Sequence, residues 1–387
     1  MEVLRTDPDA ETVRALEQLA TLEVFAGSPE ADRLTAEALT LGQALDVGTE
    51  QIVGLLVSRG IYLQVAERGY ESTAYLRESA RIATQIGDNV SLGLALLNLS
   101  DVLSATDPAA AADAARTAAG QLRRTGRRYY LTGAVMNLFQ ALLMLGDWDG
   151  AEAELARAAD SDGLADLDYL VCARGLLAAL RGDAEGAGTM LAALGDLRAT
   201  EDPQDAAMIS ITEAFAAVAR RQLPDALRHA RRALSYGDAL GIKSDSPRWA
   251  WPLAVRAAHE LGDTDAVREL LARLDSYQPG HLAPMLRAER DLARVRLAAR
   301  DEDGDGDSDR DGAQVVAASF AAAIVSLREH STPYHLAHGL LDHARYLLAR
   351  FDAEAAAVAL EEARAIGHRL RCSALLDRAE DLARAQL

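Results

Sequence analysis

A chain of 387 residues of which half are hydrophobic has ample material for a continuous core. Only 5% are aromatic, so Ala and Leu carry most of the packing and favour helices. The net charge of −19 excludes a general duplex-binding face, which relies on basic residues to neutralise phosphate, and the absence of any charge-free run of ~18 apolar residues speaks against a membrane-spanning helix. The N-terminal stretch MEVLRTDPDAETVRALEQ has neither a basic n-region nor an apolar h-region, so a cytoplasmic chain is expected. Cys172 and Cys372 lack metal-ligand spacing and fit a reducing compartment. Lys243 is the only lysine. Codon bias in a GC-rich genome is a simpler account of that than selection for bidentate recognition by arginine.

In chain order, helical periodicity and turn signals predict Ala10–Phe25 and Pro29–Leu45, then Thr49–Glu67 with Glu71–Ile86. Val90–Ser104 and Pro108–Arg124 follow, with Asp107 as a cap and Pro108 at the first helical position. Next are Arg128–Leu145 with Asp149–Ala159, Leu167–Leu180 with Glu185–Leu197, and Gln204–Arg220 with Pro224–Leu240. The last are Pro247–Leu261 with Thr264–Leu274, Leu282–Ala299 with Ala313–Glu329, Pro333–Arg350 with Ala353–Leu370, and a closing Ser373–Gln386. The linkers LGD at 145–147, RGD at 181–183 and LGD at 261–263 each place Gly where a helix ends left-handed and Asp where the next begins.

A small residue recurs through these pairs: Ala74, Ala112, Ala151, Ala187, Ala226, Ala266 and Ala355, at steps of 38, 39, 36, 39, 40 and 89. Such a period means helix pairs that bury their apolar faces only against neighbours. The expected fold is all-α, a right-handed α-α superhelix of about nine pairs with a C-terminal capping helix, forming a single repeat domain over 1–387. The long last step contains DEDGDGDSDRDG at 301–312, read from its like charges and glycines as a flexible acidic insertion within a helix pair. Two segments there resemble the start of a calcium loop, but the twelfth positions are Gly312 and Ala318 instead of Glu, which favours a solvated loop.

The pairs resemble tetratricopeptide repeats. Gly175 lies twelve residues before Ala187, where such repeats place a second small residue; Ala214 and Ala254 also fit, whereas Phe139 and His343 do not. More specifically, TVRALEQLATLEVFAGSPEADRLTAEAL, ESARIATQIGDNVSLGLALLNLSDVL, LMLGDWDGAEAELARA and STPYHLAHGLLDHARYLLARFDAEAAAVALEEARAIGHRL resemble the C-terminal repeats of actinobacterial ATP-binding regulators. Those regulators have adenylate/guanylate-cyclase-like or LuxR-type output domains. Arg350-Phe351 stands where that pattern carries Gly. The resemblance implies a sensing or partner-binding arm, with the nucleotide chemistry on another part of a larger chain. No G-x-x-x-x-G-K-[ST] occurs here.

Asn98 and Asn137 each lie fourteen residues before a repeat alanine. That register points them into a concave groove, where an amide pairs with a peptide backbone or carboxylate. Tyr169 and Arg174 sit near the next equivalent position, Ala173. Arg127, Arg128 and Tyr130 join the candidate set with Tyr129 as a cationic, aromatic patch of hot-spot composition, although seating the helix on its neighbour is the simpler use of the tyrosines. Trp249 and Trp251 read as core. His335, His338, Asp342 and His343 share one helix and read as a histidine set more than a metal site. The sequence thus leads to a non-enzymatic module with no cofactor. Its expected ligand is a protein, a peptide, a small ligand or an attached domain, and ligand-induced change of curvature is its expected mechanism. The alternatives are a scaffold that self-assembles, for instance as a homodimer, and a helical enzyme.

Overall fold

A computed structural model describes residues 8–164, 167–278, 280–304, 310–350 and 352–384, and no strand occurs among them. The fold class is the expected one, an all-α stack of antiparallel helix pairs of the tetratricopeptide type. No helix among the described residues is long and apolar enough to cross a membrane. The chain packs as two compact units, residues 1–141 and 142–387.

The first unit holds α1 (Ala10–Phe25), α2 (Ala31–Ala44), α3 (Thr49–Val65), α4 (Gly69–Ile86), α5 (Asn89–Leu103), α6 (Pro108–Arg124) and most of α7 (Arg128–Leu145). The second continues with α8 (Trp148–Asp160), α9 (Asp168–Arg181), α10 (Ala184–Ala193), a 3-10 turn (Asp196–Ala199), α11 (Pro203–Ala219) and α12 (Leu223–Ser235). Then come the single turn α13 (Gly237–Leu240), α14 (Asp245–Glu260), α15 (Thr264–Asp275), α16 (Pro284–Gly304), α17 (Arg310–His330), α18 (Pro333–Ala349), α19 (Ala353–Leu370) and α20 (Ser373–Arg384).

Capping explains most boundaries. At Gly87-Asp88, Gly146-Asp147, Gly182-Asp183 and Gly262-Asp263 the glycine takes a positive φ that L-residues resist. Each aspartate then accepts from amides of the next helix. Two expected helices are shorter than their periodicity implied. Residues 185–197 stop being helical at Ala193, where Leu194 turns extended before Gly195, and 224–240 divides between Ser235 and Gly237. The acidic stretch is also shorter than its charge suggested, because α16 runs on to Gly304 and α17 begins at Arg310. Residues 305–309, and with them part of both calcium-loop resemblances, lie outside the described residues.

The repeat register needs correction at two positions. Ala74 is exposed, and the residue at its crossing is Ser72, fully buried, whose hydroxyl donates to the Gly60 carbonyl at 2.7 Å. Likewise Ala356 is buried where Ala355 is only partly so. Alanine was the more visible residue, but the physical requirement at a close crossing is a small side chain, and serine meets it with a hydrogen bond. Gly60 therefore precedes its partner by the same twelve residues as Gly175 precedes Ala187, and a Cβ at Gly175 would stand 3.1 Å from Met190 Cβ.

The units differ in how their first helices are covered. In α5 only Gly93, Ala95, Leu99, Ser100 and Leu103 are buried, and Leu92, Leu94, Leu96 and Leu97 remain half-buried. In α14 every residue from Pro247 to Ala258 is buried, and α18 is nearly so. The second unit closes on itself. Cys372 Sγ donates to the Leu180 carbonyl, Ser373 Oγ donates to that of Arg181, and Arg371 pairs with Asp149.

Glycine substitutions separate crossing from propensity. An alanine Cβ at Gly60 would lie 2.7 Å from Leu76 Cγ, inside the core, so overpacking should outweigh the helix-propensity gain and cost about 1–2 kcal/mol. Gly120→Ala in α6 meets nothing within 4 Å and should gain about 0.5–1 kcal/mol. Urea denaturation of the two variants should move the midpoint in opposite directions.

Candidate functional site

The interior of the second unit is built around the first turns of α18. Tyr334 is 2% exposed and meets Trp148, Phe215 and Trp249 at ring-centroid distances of 5.7, 6.2 and 6.4 Å. Helices α8, α11 and α14 thus converge on one residue of the C-terminal hairpin. Trp251 is fully buried and donates Nε1 to the Leu270 carbonyl at 2.9 Å, so both tryptophans are core, as expected.

One helical turn beyond His338, Asp342 takes up three guanidinium groups. Arg296 Nε donates to Oδ2 at 2.5 Å and Arg345 Nη2 donates to Oδ1 at 3.2 Å, while Arg378 also pairs with Oδ1. Burial raises the Asp342 pKa, but Arg296, Arg378 and Arg345 outweigh it and hold the carboxyl below the usual range. The histidines are partnered inside the same network. His335 Nδ1 lies 2.6 Å from Thr332 Oγ1, and Arg378 donates to His338 Nδ1 at 3.0 Å. An arginine cannot accept, so the His338 proton sits on Nε2. Burial, reinforced by Arg256, depresses both imidazoles well below their ordinary pKa and keeps them neutral. A carboxylate shared by three arginines is not free to ligate a metal, and the histidine-set reading is the one the geometry favours.

Neither thiol is set up as a nucleophile. Burial pushes Cys172 up to about 12 and Cys372 up to about 11, which leaves almost no thiolate at neutral pH. Glu289 is a further buried acid in this unit. Desolvation raises it to about 7 in spite of Arg296 and Arg256, and Ser331 Oγ donates to it at 3.4 Å.

Of the seven residues singled out in the sequence, five lie in the first unit. Asn98 Nδ2 donates to the Leu94 carbonyl of its own helix at 2.8 Å. Asn137 Nδ2 reaches from α7 to α5, donating to the Leu97 carbonyl at 3.1 Å and meeting Ser100 Oγ at 3.0 Å. That contact belongs to a ladder of polar cross-links between successive first helices, with Thr21 and Ser58 at 3.4 Å and a Gln64–Asp101 pair as further rungs. The two amides are therefore not equivalent, and their hydrogen-bond capacity is partly committed to the fold. Arg127, Arg128 and Tyr130 are exposed at the α6–α7 turn. Tyr129 is 85% exposed and packs edge-on against Tyr130 at 5.3 Å, so these tyrosines do not seat the helix, contrary to the simpler expectation. In the second unit Tyr169 bonds to Asp205, and Arg174 donates to the Leu155 carbonyl at 3.4 Å.

Sequence reasoning passed over Arg256, Glu289, Arg296 and Arg378. The signal for Arg256 was present, since it interrupts the otherwise apolar run WAWPLAVRAA. A buried arginine on an apolar face implies a buried acceptor.

No family model and no curated protein matches the chain. Among solved structures, a Rap protein complexed with competence and sporulation factor aligns at a TM-score of 0.42 and 12% identity, over 92% of this chain and 86% of that one. The apo form of the quorum sensor NprR from B. thuringiensis aligns at 0.44 and 9% identity, over 94% and 90%. A circular tandem repeat protein aligns at 0.19 and 15% identity, over 97% and 95%.

The raised Glu289 predicts a pH effect with a definite sign. A carboxyl whose folded pKa lies above its unfolded value stabilises the fold below about pH 4 and loses that contribution as pH rises through 7. Glu289→Gln removes the titration and keeps an acceptor for Ser331. The stability difference between variant and parent should shift in favour of the variant by about 3 kcal/mol between pH 4 and 8.5. Urea denaturation at the two pH values reads this directly, and a pH-independent difference would refute it.

Proposed function

We propose that the chain is a non-catalytic interaction module that binds a protein or peptide segment through its first unit. The segment recognised carries acidic residues beside an apolar anchor. The observation behind this reading is the α6–α7 turn, where Tyr129 at 85% and Tyr130 at 40% exposure stand beside Arg127 and Arg128 in a chain of net charge −19. Tyrosine and arginine are the residue types that most often anchor interfaces, and an exposed aromatic pair gains free energy only when something covers it. The half-buried leucines of α5 supply an apolar face within the same unit. In a larger chain such a module would act as the regulatory arm of a bacterial signalling or transcriptional regulator, passing the binding event to an attached ATPase or output domain.

Labelled peptides of about 12 residues, matched in apolar content and rich in either Glu or Lys, test this against long-range charge alone. Fluorescence anisotropy should show tighter binding of the Glu-rich set, weakening as salt is raised. Arg127→Glu combined with Tyr129→Ala should then lower that affinity about tenfold or more. Preference for the Lys-rich set would mean that the overall negative charge governs, and the reading would fail. A stable dimer by light scattering, lost on Tyr129→Ala, would instead favour self-assembly.

A further inference from the structure

A cavity of about 300 Å³ opens in the second unit between α10, the 3-10 turn, α11 and α12, and it lies apart from the ionic interior. Its polar wall carries Arg198, Arg220, Arg228, Glu213 and His229, over an apolar floor that includes Leu191 and Ala217. The volume is at the small end of the range for small-molecule sites.

The charges in this wall do not cancel. Arg228 is paired with Asp225 at 2.7 Å, and Arg198 donates Nε to the Leu191 carbonyl at 3.1 Å. His229 Nδ1 faces Glu213 Oε2 at 2.9 Å, and both atoms are shielded from solvent. Burial depresses the His229 pKa even against the neighbouring Glu213. Three guanidinium groups thus face two carboxylates, which is a local excess of positive charge in a strongly acidic protein. Arg220 forms no ion pair among the described residues. Its Nη2 lies 2.8 Å from where a Cβ at Gly188 would stand, so the missing side chain lets the guanidinium lie close against α10.

The adjoining turn departs from the four Gly-Asp turns: residues 221–222 read Arg-Gln, with Arg221 at φ 60° and Gln222 making no side-chain cap bond. The first amides of α12 therefore lack the capping carboxylate that satisfies α8, α10 and α15. The cavity and the unpaired Arg220 thus meet at one volume beside the start of α12.

We propose that this cavity binds the oxyanion of a small ligand, a carboxylate or a phosphate, with Arg220 as the principal contact and Arg198 as the second. Guanidinium presents paired donors suited to either group, and the site lies in a different unit from the proposed peptide surface, so the two readings stand or fall separately.

Calorimetric titration of the full chain with inorganic phosphate and, separately, with succinate at matched ionic strength tests it. Saturable binding of at least one anion below about 1 mM is expected, weakened about tenfold or more by Arg220→Ala and unchanged by Arg221→Ala, whose side chain is outside the cavity wall. The anion that saturates identifies the source. Should Arg220→Ala lose its circular-dichroism helix signal, Arg220→Gln replaces it. No saturation by either anion up to about 10 mM would overturn the proposal, as would equal affinity in the Arg220 variant.

Discussion

Everything in this fold depends on helices crossing closely enough to bury faces that no single pair can bury alone. The crossing residue must be small, and the chain meets that need in more than one way. It uses alanine at Ala151, Ala187 and Ala226, glycine on the partner helix at Gly60 and Gly175, and serine at Ser72 with its hydroxyl turned to the Gly60 carbonyl. Once pairs are stacked, their first helices still have a second apolar face. The first unit leaves that face half covered along α5, whereas the second covers it with α18.

Filling an interior with α18 brings charge into it, and the energetics of that choice are specific. A carboxylate held by Arg296, Arg345 and Arg378 is weak evidence of added stability, because desolvating Asp342, Arg296 and Arg378 offsets most of their attraction. Its effect is on uniqueness. Moving α16, α18 or α20 separately would strand a buried charge, which is far costlier than sliding apolar faces past each other. A mechanism that works by changing curvature is therefore opposed within the second unit. Among the described residues of the first unit, single hydroxyl and amide contacts link the first helices and no comparable buried ionic lock occurs.

The fold was legible because periodicity and capping are local. Pro108–Arg124, Arg128–Leu145 and Ala353–Leu370 begin and end where their cap residues and apolar spacing say they should. The breaks at Gly195 and Tyr236 were less so, since helical periodicity continues across both. The site was legible only in part. Arg127, Arg128 and Tyr130 can be read from composition, because four arginines lie within residues 123–128 of an acidic chain. The fate of Asn137 cannot, because it depends on a partner forty residues away. Nor can the network around Asp342, whose partners Arg296 and Arg378 lie 46 and 36 residues from it. Sequence spacing describes one face of one helix, and these groups meet only through the stacking of several.

Two positive spots in an acidic chain pose a question of range. Net charge acts over roughly a Debye length, ~8 Å at physiological salt, and it repels anions before they arrive. A contact made by guanidinium at hydrogen-bond distance is short and directional, so it decides affinity once the ligand has docked, while the surrounding charge lowers the rate of encounter. The chain's reliance on arginine, whatever its genomic origin, bears on this balance. A guanidinium stays charged over the whole physiological range, so recognition at the α6–α7 turn and at Arg220 is not itself a pH switch. Glu289, whose charge changes near neutrality, is sealed within the second unit. At the α6–α7 turn recognition and titration are thus carried by different residues, and a change of pH acts on the contact there only through stability. The cavity differs, because the titratable His229 stands in the same wall as Arg220.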